Sequence, residues 1–141
     1  MYHKYETEEE KVKEKLGPTN SVIIYEDNND KNNFIKLIEC QKEFIRIWNF
    51  HKALLLNKIQ FNCIINCLCL WDNNHLLAGC KDTVIRLIKL DEKENNQVVQ
   101  EINEYKKEII CIKNIKHPKY GECVMAQGLD NGQIKLFEKK I

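Results

Sequence analysis

The 141-residue chain predicts an all-β fold, in which short antiparallel strands form about three consecutive four-stranded units and the last unit lacks its fourth strand. Three observations carry this expectation. The stretches Ile45-Arg46-Ile47-Trp48, Ile85-Arg86-Leu87-Ile88 and Ile134-Lys135-Leu136-Phe137 repeat one apolar/basic/apolar/apolar signature at offsets of 40 and then 49 residues. Under the same shift of 40, Leu37, Cys40, Ile45 and Arg46 return as Leu77, Cys80, Ile85 and Arg86. From Ser21 onward, short runs of Ile, Val, Leu and Cys are separated by turns rich in Asn, Asp and Lys, which is the spacing of strands and not of helices.

Residues 1–20 form a charged lead, helical or disordered, with Glu8-Glu9-Glu10 ahead of Lys11, Lys13 and Lys15 and a stop at Gly17-Pro18. Pairs such as Glu9/Lys13 supply only a few tenths of a kcal/mol, too little to hold so short a helix alone. Residues 21–141 form the repeat domain, with units at about 21–60, 61–103 and 108–141. Strands are expected at 22–25, 34–39, 44–50 and 53–59, then at 64–71, 76–79, 84–90 and 98–102, and finally at 109–115, 123–127 and 133–138. Asp27-Asn28-Asn29 and Asp72-Asn73-Asn74 follow strands at the same relative place and supply side chains that close local turns. Asn131-Gly132 is the strongest two-residue hairpin signal, and Pro118 makes His117-Pro118 a turn.

Composition narrows the function classes. A hydrophobic share of 43% beside 30% charged residues is ordinary for a globular domain. Twenty-two basic against 21 acidic residues leave a net charge of +1, which gives no long-range field to draw in nucleic acid or an anionic membrane. No run reaches the roughly 20 apolar residues of a membrane helix, and Met1-Tyr2-His3-Lys4-Tyr5 is a poor start for a secretory signal, so the expected compartment is cytoplasmic. Seven cysteines, an odd number, argue for reduced thiols over a disulfide framework. The excess of Asn, Lys and Ile fits an AT-rich coding bias, so Asn-rich patches carry no functional weight.

Candidate chemistry is sparse. In a continuous strand, Cys63, Cys67 and Cys69 would share one face and could join Cys80 or Cys111 around zinc. No second short-spaced Cys/His pair accompanies them, and Cys67 and Cys111 fall at corresponding places in their first strands, so all are read as small core residues. His3, His51, His75 and His117 are scattered without a nucleophile or acidic partner that recurs near them. The sequence holds no phosphate-binding glycine loop and no nucleophile elbow. Arg46, Arg86 and Lys135 recur once per unit opposite the core-facing Ile and Leu, and are expected to be exposed or paired in salt bridges between units. Ile45, Ile85 and Ile134 are assigned to the core. No residue is assigned to a catalytic, cofactor-binding or metal site.

The run Leu76-Leu77-Ala78-Gly79-Cys80-Lys81-Asp82-Thr83-Val84-Ile85-Arg86-Leu87 resembles the WD-repeat β-propeller family, whose blades are four-stranded sheets with a small-residue bend, an Asp turn and a strand ending in Trp. Met125-Ala126-Gln127-Gly128-Leu129-Asp130-Asn131-Gly132-Gln133-Ile134-Lys135-Leu136 is a second copy, and Phe44-Ile45-Arg46-Ile47-Trp48-Asn49 a third that keeps the Trp. The last segment, with His117-Pro118-Lys119-Tyr120-Gly121-Glu122, is similar to the final blades of such proteins from protists with AT-rich genomes. The chain departs from the pattern: no Gly-His pair precedes a first strand, the Asp position is Lys42 and Asn131 in the outer units, and the Trp position is Ile88 and Phe137. The polar network of a strong blade is therefore expected to be missing, leaving apolar packing to hold the units. The resemblance implies a non-enzymatic protein-interaction or scaffold module without cofactor, or alternatively a C-terminal regulatory or targeting propeller of a larger enzyme such as a kinase. Propellers close with about four to eight blades, so three imply either self-association or missing blades from a longer chain. The binding surface cannot be read from these residues.

Overall fold

The computed structural model of the chain describes residues 19–26, 35–90, 97–129 and 133–139. The charged lead, apart from Thr19 and Asn20, and the turns at Asp27-Asn28-Asn29 and Asn131-Gly132 lie outside the described residues. Among the described residues, eleven strands make up three antiparallel sheets. The first holds β1 (Thr19–Glu26), β2 (Ile35–Gln41), β3 (Phe44–Asn49) and β4 (Leu54–Gln60) in chain order. The second holds β5 (Ile65–Asp72), β6 (His75–Cys80), β7 (Ile85–Lys89) and β8 (Gln97–Ile102), and the third β9 (Ile109–His117), β10 (Gly121–Gly128) and β11 (Ile134–Glu138). Four, four and three strands is the grouping the repeat predicts.

The sheets stack face to face through two cores. Ile38, Cys40, Ile45, Ile47 and Ile59 on the front of the first sheet meet Ile65, Leu68, Leu76, Ala78, Cys80 and Ile88 on the back of the second. Cys67, Cys69, Leu77 and Ile85 on the front of the second meet Ile109, Ile112, Val124 and Ala126 on the back of the third. The middle sheet is thus buried on both sides, and its strands run apolar at successive positions instead of alternating. Gly79 permits this closeness, because a Cβ there would stand 2.5 Å from Cys67 Sγ and 2.7 Å from Ile109 Cγ2. Tyr105, in the connection before β9, seals the second core by donating its hydroxyl to Ala126 O at 2.6 Å and by packing on Gly128, whose Cβ would stand 2.5 Å from its ring.

The register corrects the sequence repeat. Cys40↔Ile45, Gly79↔Ile85 and Gln127↔Ile134 are equivalent cross-strand pairs, so the hairpin between the second and third strands lengthens by one residue from each sheet to the next. The shift of 40 therefore holds along β3 and β7 but slips by one residue between β2 and β6. A slip of one turns every side chain to the other face. Leu77 belongs to the second core, whereas Leu37 alternates with the core-facing Ile38 and stays out of it. Cys40 and Cys80 are not equivalent but project from facing sheets into the same core. The longer second hairpin holds β-branched Thr83 at a φ of +75°, a backbone region such residues seldom occupy.

The core assignment of Ile134 is also corrected. Ile45 is 0% and Ile85 1% exposed, whereas Ile134 is 56% exposed. All three point forward from their sheets, and the third sheet has no following sheet among the described residues. Ile85→Asp should abolish folding, because an unpaired carboxylate in the second core costs several kcal/mol, comparable with the stability of a whole domain. Ile134→Asp should shift stability by no more than about 0.5 kcal/mol. Urea titration followed by far-UV circular dichroism separates the two.

Candidate interaction surface

The innermost strands share one device. Each carries a bulge at the same place, leaving Asn20, Asn66 and Ile110 without a cross-strand partner. Asn20 donates its side-chain amide to Ile65 O of the next sheet at 3.0 Å, and Asn66 donates to Ile109 O at 2.9 Å. Ser21 Oγ adds a bond accepted from Leu68 N at 3.2 Å. At the third position the amide is replaced by Ile110, which is exposed. The seam that joins each sheet to its successor therefore ends at the third sheet.

Beyond it the front face of the third sheet is open. Cys111, Ile115, Met125, Ile134 and Leu136 lie on it, with Ile134 and Leu136 exposed and the others half-buried. The equivalent Ile45 and Ile47 of the first sheet are buried beneath the second. β11 is at the same time a sheet edge, since among the described residues nothing pairs with the side turned away from β10. Large apolar side chains beside a free edge are the chemistry of a surface that binds protein.

The cysteines separate. Cys63 lies ahead of β5 and packs against the first core, while the bulge at Asn66 turns Cys67 and Cys69 into the second core, so the three do not share a face. Cys63 instead approaches Cys80 and Asp82, their donor atoms all within 4.8 Å of one another, beside an open cavity of about 320 Å³. This is the one donor set of metal-binding type among the described residues, and a cation already serves it. Arg86 donates to Asp82 at 2.9 and 2.5 Å and to Cys63 Sγ at 3.3 Å, and its Nε lies 3.6 Å from Glu101. The Arg86 bonds hold the Asp82 carboxyl below its ordinary 3.8, while burial pushes the Cys63 thiol up and that of Cys80 up to about 12. Both sulfurs therefore stay protonated at neutral pH, which makes them poor nucleophiles.

The recurring cations correct two expectations. Arg46 is not exposed: it is 5% exposed and donates to Glu39 across its own sheet. Lys135 lies 3.8 Å from Glu104 in the connection between the second and third sheets. Polar networks are present as well. Glu39 also accepts from Thr19 at 3.2 Å and Trp48 Nε1 at 3.4 Å, and Asp82 with Arg86 forms a second cluster. His75 pairs with Asp72 at 2.8 Å in the β5–β6 turn, His117 Nδ1 accepts from Lys119 N and Tyr120 N, His51 sits in an exposed turn, and His3 lies outside the described residues.

Because the folded Asp82 carboxyl titrates below its unfolded value, its stabilisation is complete above about pH 4 and drains away as pH falls further. Arg86→Gln should flatten that part of the acid limb in a stability-versus-pH series. Cys40, Cys67 and Cys80, buried and pushed up to about 12, should resist a thiol-reactive reagent at neutral pH until the chain is unfolded in urea. Absorbance counting of native and unfolded thiols checks this.

No protein-family profile and no curated protein matches the chain. Solved structures do. The WD40 β-propeller domain of Doa1 superposes with a TM-score of 0.52 at 16% identity, covering 74% of this chain and 36% of that one. A chain of the mitotic checkpoint complex superposes with a TM-score of 0.66 at 10% identity, covering 87% of this chain and 36% of that one. The chain spans about a third of the length of the structures it matches, and its fold is that of consecutive WD-repeat-like propeller blades.

Proposed function

We propose that the chain is a non-enzymatic protein-interaction or scaffold module of the WD-repeat type, working in the cytoplasm with other proteins as partners. The observation that carries this reading is the open third sheet, whose Ile134 is 56% exposed where its two equivalents are buried. The near-neutral charge supports protein partners over nucleic acid or membrane surfaces. Among the described residues no helix is long and apolar enough to cross a membrane.

A second reading draws on the span of about a third of each matched structure. In it the three sheets are part of a larger propeller, such as the regulatory or targeting portion of an enzyme of the kinase class.

The purified chain should bind an apolar dye such as anilinonaphthalene sulfonate and show a mass above 16.8 kDa that rises with concentration in light scattering. Ile134→Lys combined with Leu136→Lys should suppress both while leaving the β-type circular dichroism unchanged. A chain that binds no dye and stays at one mass at every concentration would overturn the interaction reading.

A further inference from the structure

We infer that the edge of β11 turned away from β10, unpaired among the described residues, is a docking site for one extended strand of a partner polypeptide, with a readable sequence preference: apolar, apolar, Asn or Gln, acidic, Ile. The inference deepens the interaction reading and rests on it. Its basis is the way the two equivalent edges are filled. In the first sheet β4 lies along β3, pairing Leu55 with Trp48, Asn57 with Ile47, Lys58 with Arg46 and Ile59 with Ile45. In the second, β8 lies along β7, pairing Val98 with Ile88, Gln100 with Leu87, Glu101 with Arg86 and Ile102 with Ile85. Both pairings carry a bulge at the same place, between Ile47 and Trp48 in one and between Leu87 and Ile88 in the other, which loops out Leu56 and Val99.

The two outer strands thus share one pattern read against one template, and β11 repeats the template. Phe137, Leu136, Lys135 and Ile134 stand where Ile88, Leu87, Arg86 and Ile85 stand in β7. A docked strand would set an apolar residue opposite Phe137, loop out a second, place an amide opposite Leu136 and a carboxylate opposite Lys135, and cover Ile134 with Ile. The charged position is not neutral in its choice. Glu101 approaches Arg86 at 3.6 Å, whereas Lys58 lies opposite an Arg46 that is already held by Glu39. Lys135 donates to Glu104 O and lies 4.8 Å from the centre of the Tyr105 ring, but its carboxylate contact, to the exposed Glu104, is loose at 3.8 Å, so an acid is favoured opposite it. Backbone bonds along a free edge give affinity and the alternating side chains give selectivity, as in other strand-addition complexes.

The test uses the full chain and a fluorescent peptide with the sequence of residues 96–103, which contains the β8 pattern. Saturable binding by anisotropy, with hydrogen exchange slowed at the β11 amides, is expected. A peptide carrying Glu101→Lys should bind roughly tenfold more weakly, and the Lys135→Glu chain should reverse that preference. Protection at β7 in place of β11 would mean that the peptide merely displaces β8, and would overturn the inference. So would no binding, or binding indifferent to the charge exchange. Should the peptide test fail while dye binding and mass still respond to the Ile134→Lys and Leu136→Lys pair, the strand inference alone falls and the interaction reading stands.

Discussion

Each sheet in this chain presents a front face that only another sheet can cover, and the arrangement of the molecule follows from that constraint. Burying a Val, Leu or Ile side chain is worth about 1.5 to 3 kcal/mol, so a face carrying four or five of them outweighs any surface contact nearby. The first interface spends Ile38, Ile45, Ile47 and Ile59 in this way, and the second spends Leu77 and Ile85. Polar bonds across the gap between sheets guide alignment. Asn20 and Asn66 occupy bulge positions, reach across the gap and fix the height of one sheet against the next. A bond of this kind adds only about 1 kcal/mol, but it is directional, as apolar contact is not.

The back of the first sheet obeys a different rule. Glu39 and Arg46 are 4% and 5% exposed, and burial pushes the carboxyl up and the guanidinium down, each toward losing its charge. Their contact, with bonds donated by Thr19 and Trp48, offsets that cost. Buried ion pairs seldom add net stability over apolar residues of the same shape, but removing one partner strands a charge. Trp48 lies under Arg46, 5.2 Å from guanidinium carbon to ring centre, and is itself fully buried. A head-to-tail ring of identical chains would need this back face to receive the apolar front of a neighbour's third sheet. A buried and charged surface does not offer the complement.

The strands, their grouping and the direction of the basic residues were legible because they rest on local period and on turn chemistry. Facing was less so. A repeat of side-chain type at a shift of 40 matched Leu37 to Leu77, although the lengthened hairpin sets them on opposite faces. Bulges act the same way: the unpaired Asn66 sends Ile65 and Cys67, both odd positions, into different cores. Only cross-strand register reveals such a slip. The cluster of Cys63, Cys80, Asp82 and Arg86 was also hidden, since its members come from the β4–β5 connection, the β6–β7 hairpin and β7 and are joined only by the fold. The Asn donors carry no signal of their own, because a compositional bias toward Asn makes each one uninformative in sequence.

The third sheet joins these threads. Its back face continues the logic of the second, with Ile109, Ile112 and Val124 in place, but its front departs from it in one telling respect. The bulge residue that would reach the next sheet is Ile110 and not an amide, so a further blade could be held there by apolar contact but not aligned by the same bond. The edge of β11, by contrast, keeps every feature of the template that β3 and β7 use to bind their outer strands. Alignment of a partner must then come from the edge, where backbone hydrogen bonds set the register to one residue, with the exposed Ile134 and Leu136 adding affinity once that register is fixed. A surface built this way selects an extended strand first and a packed face second.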